Sequence, residues 1–396
     1  MPANKLPSGF RFSGVACGIK PSGKPDLCLV VADEDVVAAG VYTQNQVVAA
    51  PVVWSRERTP SANIRVVVTN SGNANACTGR QGDEDAAEMC RLAARLAECR
   101  AEEVLVMSTG IIGQPLPMER VRAGIENASS KLGRDAHHFD ASADAILTTD
   151  AKRKSVVETR DFAAGPVSIA AMAKGAGMIA PNMATMLACV TTDAVLSKES
   201  AQELLKRVAE VTFNRVSVDG HTSTNDTLLL LASGKSGVDV LEQESEDFEA
   251  WLTEVCKQLA IALVLDGEGA RSVMHVKVDG AVDDREASEV ARRIGESPLV
   301  KTAMTGGDPN WGRIVSAAGN ANAKIDPGRM SLRLAGVELY RGGVPAEFDE
   351  AEVSKAMRDN TIVPLELTVG HGDGSAEHWA SDLSVEYVQF NSEYTT

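Results

Sequence analysis

Positive charge is in short supply: 39 lysines and arginines stand against 55 aspartates and glutamates, a formal net charge of −16. Basic residues are dispersed, and no run of five or six of them occurs. Nucleic acid and anionic membrane both demand basic surface, so neither is expected as a partner. No apolar run reaches the length of about 18 residues that a spanning helix needs, and MPANKLPSGFRF lacks a signal-peptide core. The seven cysteines contain no CxxC pair, and are expected reduced in a cytoplasmic protein. The six histidines show neither HxxxH nor HExxH, so no metal is expected. GGDPNWGR (306–313) lacks the GK[ST] ending of a phosphate loop, and is expected to be a tight loop supporting the core.

What is present is an ordinary globular balance, 44% hydrophobic and 24% charged. Val- and Ile-rich runs predict strands at 27–32, 36–43, 64–69, 104–107, 155–159, 167–173, 186–191, 227–232, 273–278, 362–369 and 384–388. Apolar residues at helical spacing predict helices at 84–100, 118–131, 198–214, 248–265 and 283–294. This is not the strict alternation of a doubly wound nucleotide fold. A layered α/β sandwich with mixed sheets is the expected class.

The stretch KGAGMIAPNMATMLACVTTDA (174–194) places Thr185 after a small alanine at the entrance to an apolar strand. A threonine hydroxyl is a weak nucleophile and needs a base beside it. An N-terminal threonine carries one, its own α-amine, with a pKa of roughly 7.7–8.0. An internal Thr185 gains that amine only if the bond after Ala184 is cut. Ala184 offers an unhindered carbonyl, and the Gly/Pro/Asn approach allows the turn that presents it. On spacing alone the bland reading, a β-branched residue starting a strand, is the better one, since Ala-Thr in a strand is common.

That stretch closely resembles the signature of the ornithine acetyltransferase family, the bifunctional glutamate N-acetyltransferases of cyclic arginine biosynthesis. So do GVACGIKPSGKPDLCLVVAD (14–33), TNSGNANACTG (69–79), MSTGIIGQPLP (107–117), ILTTD (146–150), STNDT (223–227), DGEGA (266–270), GGDPNWGRI (306–314) and YVQFNSEYTT (387–396), in family order along the chain.

The resemblance implies an αββα sandwich of the self-processing, N-terminal-nucleophile kind. It implies a cut between Ala184 and Thr185, giving an α fragment (1–184) and a β fragment (185–396) that stay together as a heterotetramer. Thr185 becomes the acyl-carrying nucleophile, and Thr109 and Gly110 the oxyanion hole. Substrate contacts fall on Thr148, Lys174, Thr185, Glu268, Asn391 and Thr396. The implied substrates and products are N2-acetylornithine, ornithine, glutamate and N-acetylglutamate. No cofactor is implied, and acetyl-CoA is allowed as a second acetyl donor.

Two positions depart from the family pattern. His221 stands where an acidic residue is more usual, and Arg271 follows DGEGA where a threonine and then a lysine are expected. Two other readings stay open: a self-processing aminopeptidase or amidase that gives its acyl group to water, and an uncleaved binding protein.

Overall fold

The computed structural model describes residues 4–180, 186–242 and 244–393. Its first sheet begins with β1 (Phe10–Val15), antiparallel to β2 (Leu27–Tyr42). The two strands expected at 27–32 and 36–43 are thus one, 16 residues long. Its turn-like DED centre (33–35) does not end the strand but bends it. Pairing with β3 (Ser61–Asn73) shifts register between Val31 and Val36, and from Val37 onward β2 pairs with a different strand.

The sheet is completed by β4 (Val104–Ile111), β5 (Lys154–Phe162), β6 (Gly165–Lys174) and β7 (Leu187–Thr192). After the short β8 (Val216–Ser217), which belongs elsewhere, comes β9 (Thr227–Ala232). The spatial order is β4-β3-β2-β9-β7-β6-β5, with β1 beside β2. Strand β9 therefore lies between β2 and β7, antiparallel to one and parallel to the other.

The bend turns this sheet into two leaves that face each other. Alternate side chains from both leaves share one core: Val30, Val67 and Leu105 with Ala170, Cys189 and Leu229. Their outward neighbours Val66 and Val106 pack on Met89 and Ile125 of helices α2 (Gly79–Leu96) and α3 (Met118–Ser129). On the other leaf, Val190 and Leu230 pack on Leu205 and Trp251 of α5 (Lys198–Val211) and α6 (Ser245–Leu265). Period-2 burial on both faces explains the near-continuous apolar runs. The layers are helix, leaf, leaf, helix, the αββα sandwich that the resemblance implies. Short α1 (Ala50–Arg56) packs on β4, and α4 (Ala136–Ala145) packs against β1.

A second mixed sheet holds β10 (Val273–Ala281), β11 (Ser331–Leu334), β12 (Val337–Arg341), β13 (Val344–Pro345), β14 (Ile362–Thr368) and β15 (Gly374–Ser381), in the order β13-β12-β11-β14-β10-β15-β8. Helices α7 (Asp284–Gly295), α8 (Pro298–Gly306), α9 (Trp311–Gly319) and α10 (Glu350–Asp359) cover it through Val290, Val300, Ile314 and Val353. Trp379 and Val273 join the core of α6, which ties the two sheets together. Of GGDPNWGR, expected as a loop throughout, only 307–310 link α8 to α9, and Trp311 already opens α9: Gly307 is left-handed (φ 64°), and Asn310 Oδ1 accepts from Arg313 N–H to cap the helix.

One expected strand is overturned. Residues 384–388 open a helix, α11 (Val385–Glu393). The hydroxyl of Ser384 accepts the Tyr387 amide, an N-cap bond that outweighs the strand-like alternation of SVEYV. No helix among the described residues is long and apolar enough to cross a membrane.

Candidate active site

Both leaves end at one cavity of about 250 Å³. Thr109, Gly110, Thr148, Lys174, Glu268 and Asn391 all line it, although they come from five distant segments. Ala184, Thr185 and Thr396 lie outside the described residues. The chain just before 181–185 lines the cavity at Gly177 and Met178. Met186 donates its N–H to Asp226, next to the lining residue Asn225.

Thr109 and Gly110 end β4 at its contact with β3. Gly110 has φ +136°, and a Cβ there would lie 2.3 Å from the carbonyl carbon of Gly72. A glycine here lets a ligand come close to the backbone. The structure adds a harder constraint: the backbone of β3 occupies the space a side chain needs.

Lys174, at the end of β6, is 2% exposed, and its Nζ donates to Thr109 Oγ1 at 3.3 Å. Burial lowers its pKa, opposed by the carboxylates of Asp150, Glu268 and Asp226. As an ammonium, lysine can only donate, so in that form Thr109 Oγ1 is the acceptor and its own O–H is directed elsewhere.

Behind the cavity wall, Lys154 Nζ lies 2.6 Å from both Asp150 Oδ1 and Asp266 Oδ2, with all three side chains buried. Burial would raise the Asp150 pKa, but the ammonium groups of Lys174 and Lys154 outweigh it and hold the carboxyl at about 2. Asp150 also accepts from the amides of Thr148 and Gly175, which sets the loop that presents Thr148.

Glu268 follows α6 in DGEGA. Thr149 Oγ1 donates to its Oε1 at 2.6 Å and Asn391 Nδ2 to its Oε2 at 3.1 Å. Gly177 makes room, since a Cβ there would meet Glu268 Oε2 at 2.4 Å. The sequence reading named Thr148 and not Thr149; both line the cavity, and it is Thr149 that holds the carboxylate.

Also unforeseen is a buried amide network. Asn225 Nδ2 donates to the carbonyls of Ala74 and Ser108, and Ser108 Oγ donates to Asn70 Oδ1. It joins MSTG, which carries Thr109 and Gly110, to TNSGNAN and STNDT, which the resemblance gave no role; the polar residues cluster because they satisfy one another. TNSGN forms the end of β3. Asp219 and Tyr387 complete the wall, with Tyr387 O–H donating to Asp219 Oδ2. Of the two departures, His221 lines the cavity. Arg271 is turned away, paired with Glu386 on α11.

A buried ammonium, a hydroxyl and a glycine backbone at a strand end, opposite a fixed carboxylate, define an α/β-sandwich enzyme for a small polar substrate. Residues 11–396 match the model of the ArgJ family, and the chain belongs to that family. The arginine biosynthesis bifunctional protein ArgJ of Rhodopirellula baltica is 57% identical, over 99% of this chain and 96% of its own. The protein of the same name from Synechocystis sp. is 43% identical, over 98% of this chain and 97% of its own. The crystal structure of arginine biosynthesis bifunctional protein argJ from Bacillus halodurans is 33% identical with a TM-score of 0.50. It covers 52% of this chain and 97% of its own.

Proposed function

We propose that this protein is a glutamate N-acetyltransferase that carries acetyl from N2-acetylornithine to glutamate on Thr185, after cutting itself between Ala184 and Thr185. In the first half-reaction the Thr185 amine takes the Oγ proton, and Oγ adds to the acetyl carbonyl. The tetrahedral oxyanion is held by the Thr109 hydroxyl and the Gly110 N–H. Collapse breaks the C–N bond, the Thr185 ammonium returns its proton to the leaving amine, and ornithine departs. The glutamate amine then attacks the acetyl ester by the reverse sequence, giving N-acetylglutamate and free Thr185.

One observation carries this reading. Every described residue expected at the site lines one cavity, Gly177 and Met178 shortly before 181–185 line it too, and Met186 just after is bonded to Asp226, the neighbour of the lining residue Asn225. Lys174 supports the oxyanion role by occupying the acceptor side of Thr109 Oγ1, which frees the O–H to donate. Lys174 and Glu268 provide opposite charges for an amino acid's carboxylate and amine. Acetyl-CoA as a second donor, the two fragments as a heterotetramer and a cytoplasmic location belong to the same proposal.

Mass spectrometry of the purified protein is the test. Wild type is expected as two fragments beginning at Met1 and Thr185, and Thr185→Ala as one chain. Ping-pong kinetics with N2-acetylornithine and glutamate are expected of the cut protein. An intact wild-type chain that still exchanges acetyl groups would sink the reading. Release of acetate to water as fast as transfer to glutamate would favour a hydrolase.

A further inference from the structure

The entrance to β7 is pinned by a side chain where a sheet would ordinarily use main chain. The parallel ladder with β9 starts at Leu187 opposite Thr227, and Thr227 N–H donates to the Met186 carbonyl at 3.1 Å. The Met186 N–H instead donates to Asp226 Oδ1 at 3.2 Å. On the other flank, β6 ends at Lys174, and the next amide, Gly175, donates to the Asp150 carboxylate at 2.7 Å. Two carboxyl groups therefore finish two adjacent strands where the sheet opens onto the cavity.

They are not alike. Asp150 is ion-paired with Lys154. Asp226 is fully buried, no ion pair reaches it among the described residues, and its Oδ2 makes no hydrogen bond there. Burial raises its pKa well above the usual carboxylate range. The Asp226 carbonyl accepts from Thr43 N–H on the chain leaving β2, which continues the β2–β9 pairing and anchors the clamp to the next strand of the same leaf. The Met186 amide, the Thr43 and Ser223 side chains and the charge of Lys174 oppose the rise in the Asp226 pKa without cancelling it. A buried carboxyl with no ion pair is costly, and this one holds the amide of the residue directly after position 185.

We propose that Asp226 is a positioning residue for the nucleophile: by fixing the Met186 amide it sets where residue 185 presents its hydroxyl and amine. This rests on the function proposed above. The clamp needs only an acceptor oxygen, so asparagine can serve and alanine cannot.

The experiment compares wild type, D226N and D226A for fragment formation, kcat, KM and thermal unfolding. D226N is expected to be cut and to keep kcat within about threefold of wild type. D226A is expected to be cut slowly, and its cut form to lose about 100-fold in kcat with KM within about twofold, the scale on which misplacement of a reacting group is felt. D226A cut and turning over like wild type would overturn the proposal, as would D226N as impaired as D226A. A loss proportional to the unfolded fraction would mark the residue as merely structural and overturn it too. Should D226A not fold, Asp226→Ser, too short to reach the amide, takes its place under the same outcomes. Wild type that is never cut would refute the functional reading instead, whatever the variants do.

Discussion

The side-chain amide of Asn391 donates to Glu268 Oε2 at 3.1 Å, tying the final helix to the loop after α6. A hydrogen bond to a charged group contributes about 1.5–3 kcal/mol. Replacement of Asn391 by alanine is expected to raise KM for N2-acetylornithine about tenfold and to change kcat less. Steady-state kinetics with both substrates check it. A tag fused to the C-terminus is expected to impair turnover for the same reason, and full activity of a tagged protein would count against it.

Thr109→Val keeps the shape of the residue and removes its hydroxyl. Loss of one oxyanion donor typically lowers kcat by about 10²–10³-fold. The expected signature is that drop with KM nearly unchanged, because the donor acts on charge that exists only in the transition state. Comparable kcat for the variant would remove Thr109 from the proposed oxyanion hole.

Lys154→Met leaves Asp150 and Asp266 facing each other with their shared ammonium gone. Breaking a buried pair by removing one partner costs about 3–5 kcal/mol. Denaturant unfolding is expected to show a loss of that order, and a midpoint close to that of wild type would contradict it.

Asp150 gives the pH dependence its sign. Its carboxyl is held at about 2 against an ordinary 3.8, so the folded state binds the proton more weakly than the unfolded chain. The resulting stability, roughly 2 kcal/mol, is present above about pH 4 and fades as pH falls toward 2. The gap in melting temperature between wild type and Asp150→Asn should narrow across that window. A gap constant from pH 5 to pH 2 would show that the carboxyl is not perturbed as described.

Helix α6 and strand β9 are legible because their burial is patterned along the chain: Trp251, Val255 and Leu259 recur at helical spacing, while Leu228 to Leu231 form a short apolar run. Helix α11 is not. Its Val385 and Val388 are exposed, so SVEYV carries no core-facing period, and only the Ser384 cap marks the start. The bend in β2 is hidden for another reason, since the charged DED segment punctuates a strand without ending it. At the site, quoted blocks pointed to Thr109, Lys174 and Glu268. Nothing in local sequence distinguishes Asp226 from a solvated turn aspartate; its burial exists only once β7, β9 and the end of β2 are assembled.

Strand β9 sits between β2 and β7, and β7 between β9 and β6. Two strands from after position 184 are therefore gripped between strands from before it, like a pair of fingers held in a closed hand, with a row of main-chain hydrogen bonds on either side. A chain severed there loses one covalent bond and almost none of its cohesion. Freeing the two pieces requires unfolding the central sheet, so fragments made separately should rejoin only if both are present while that sheet forms.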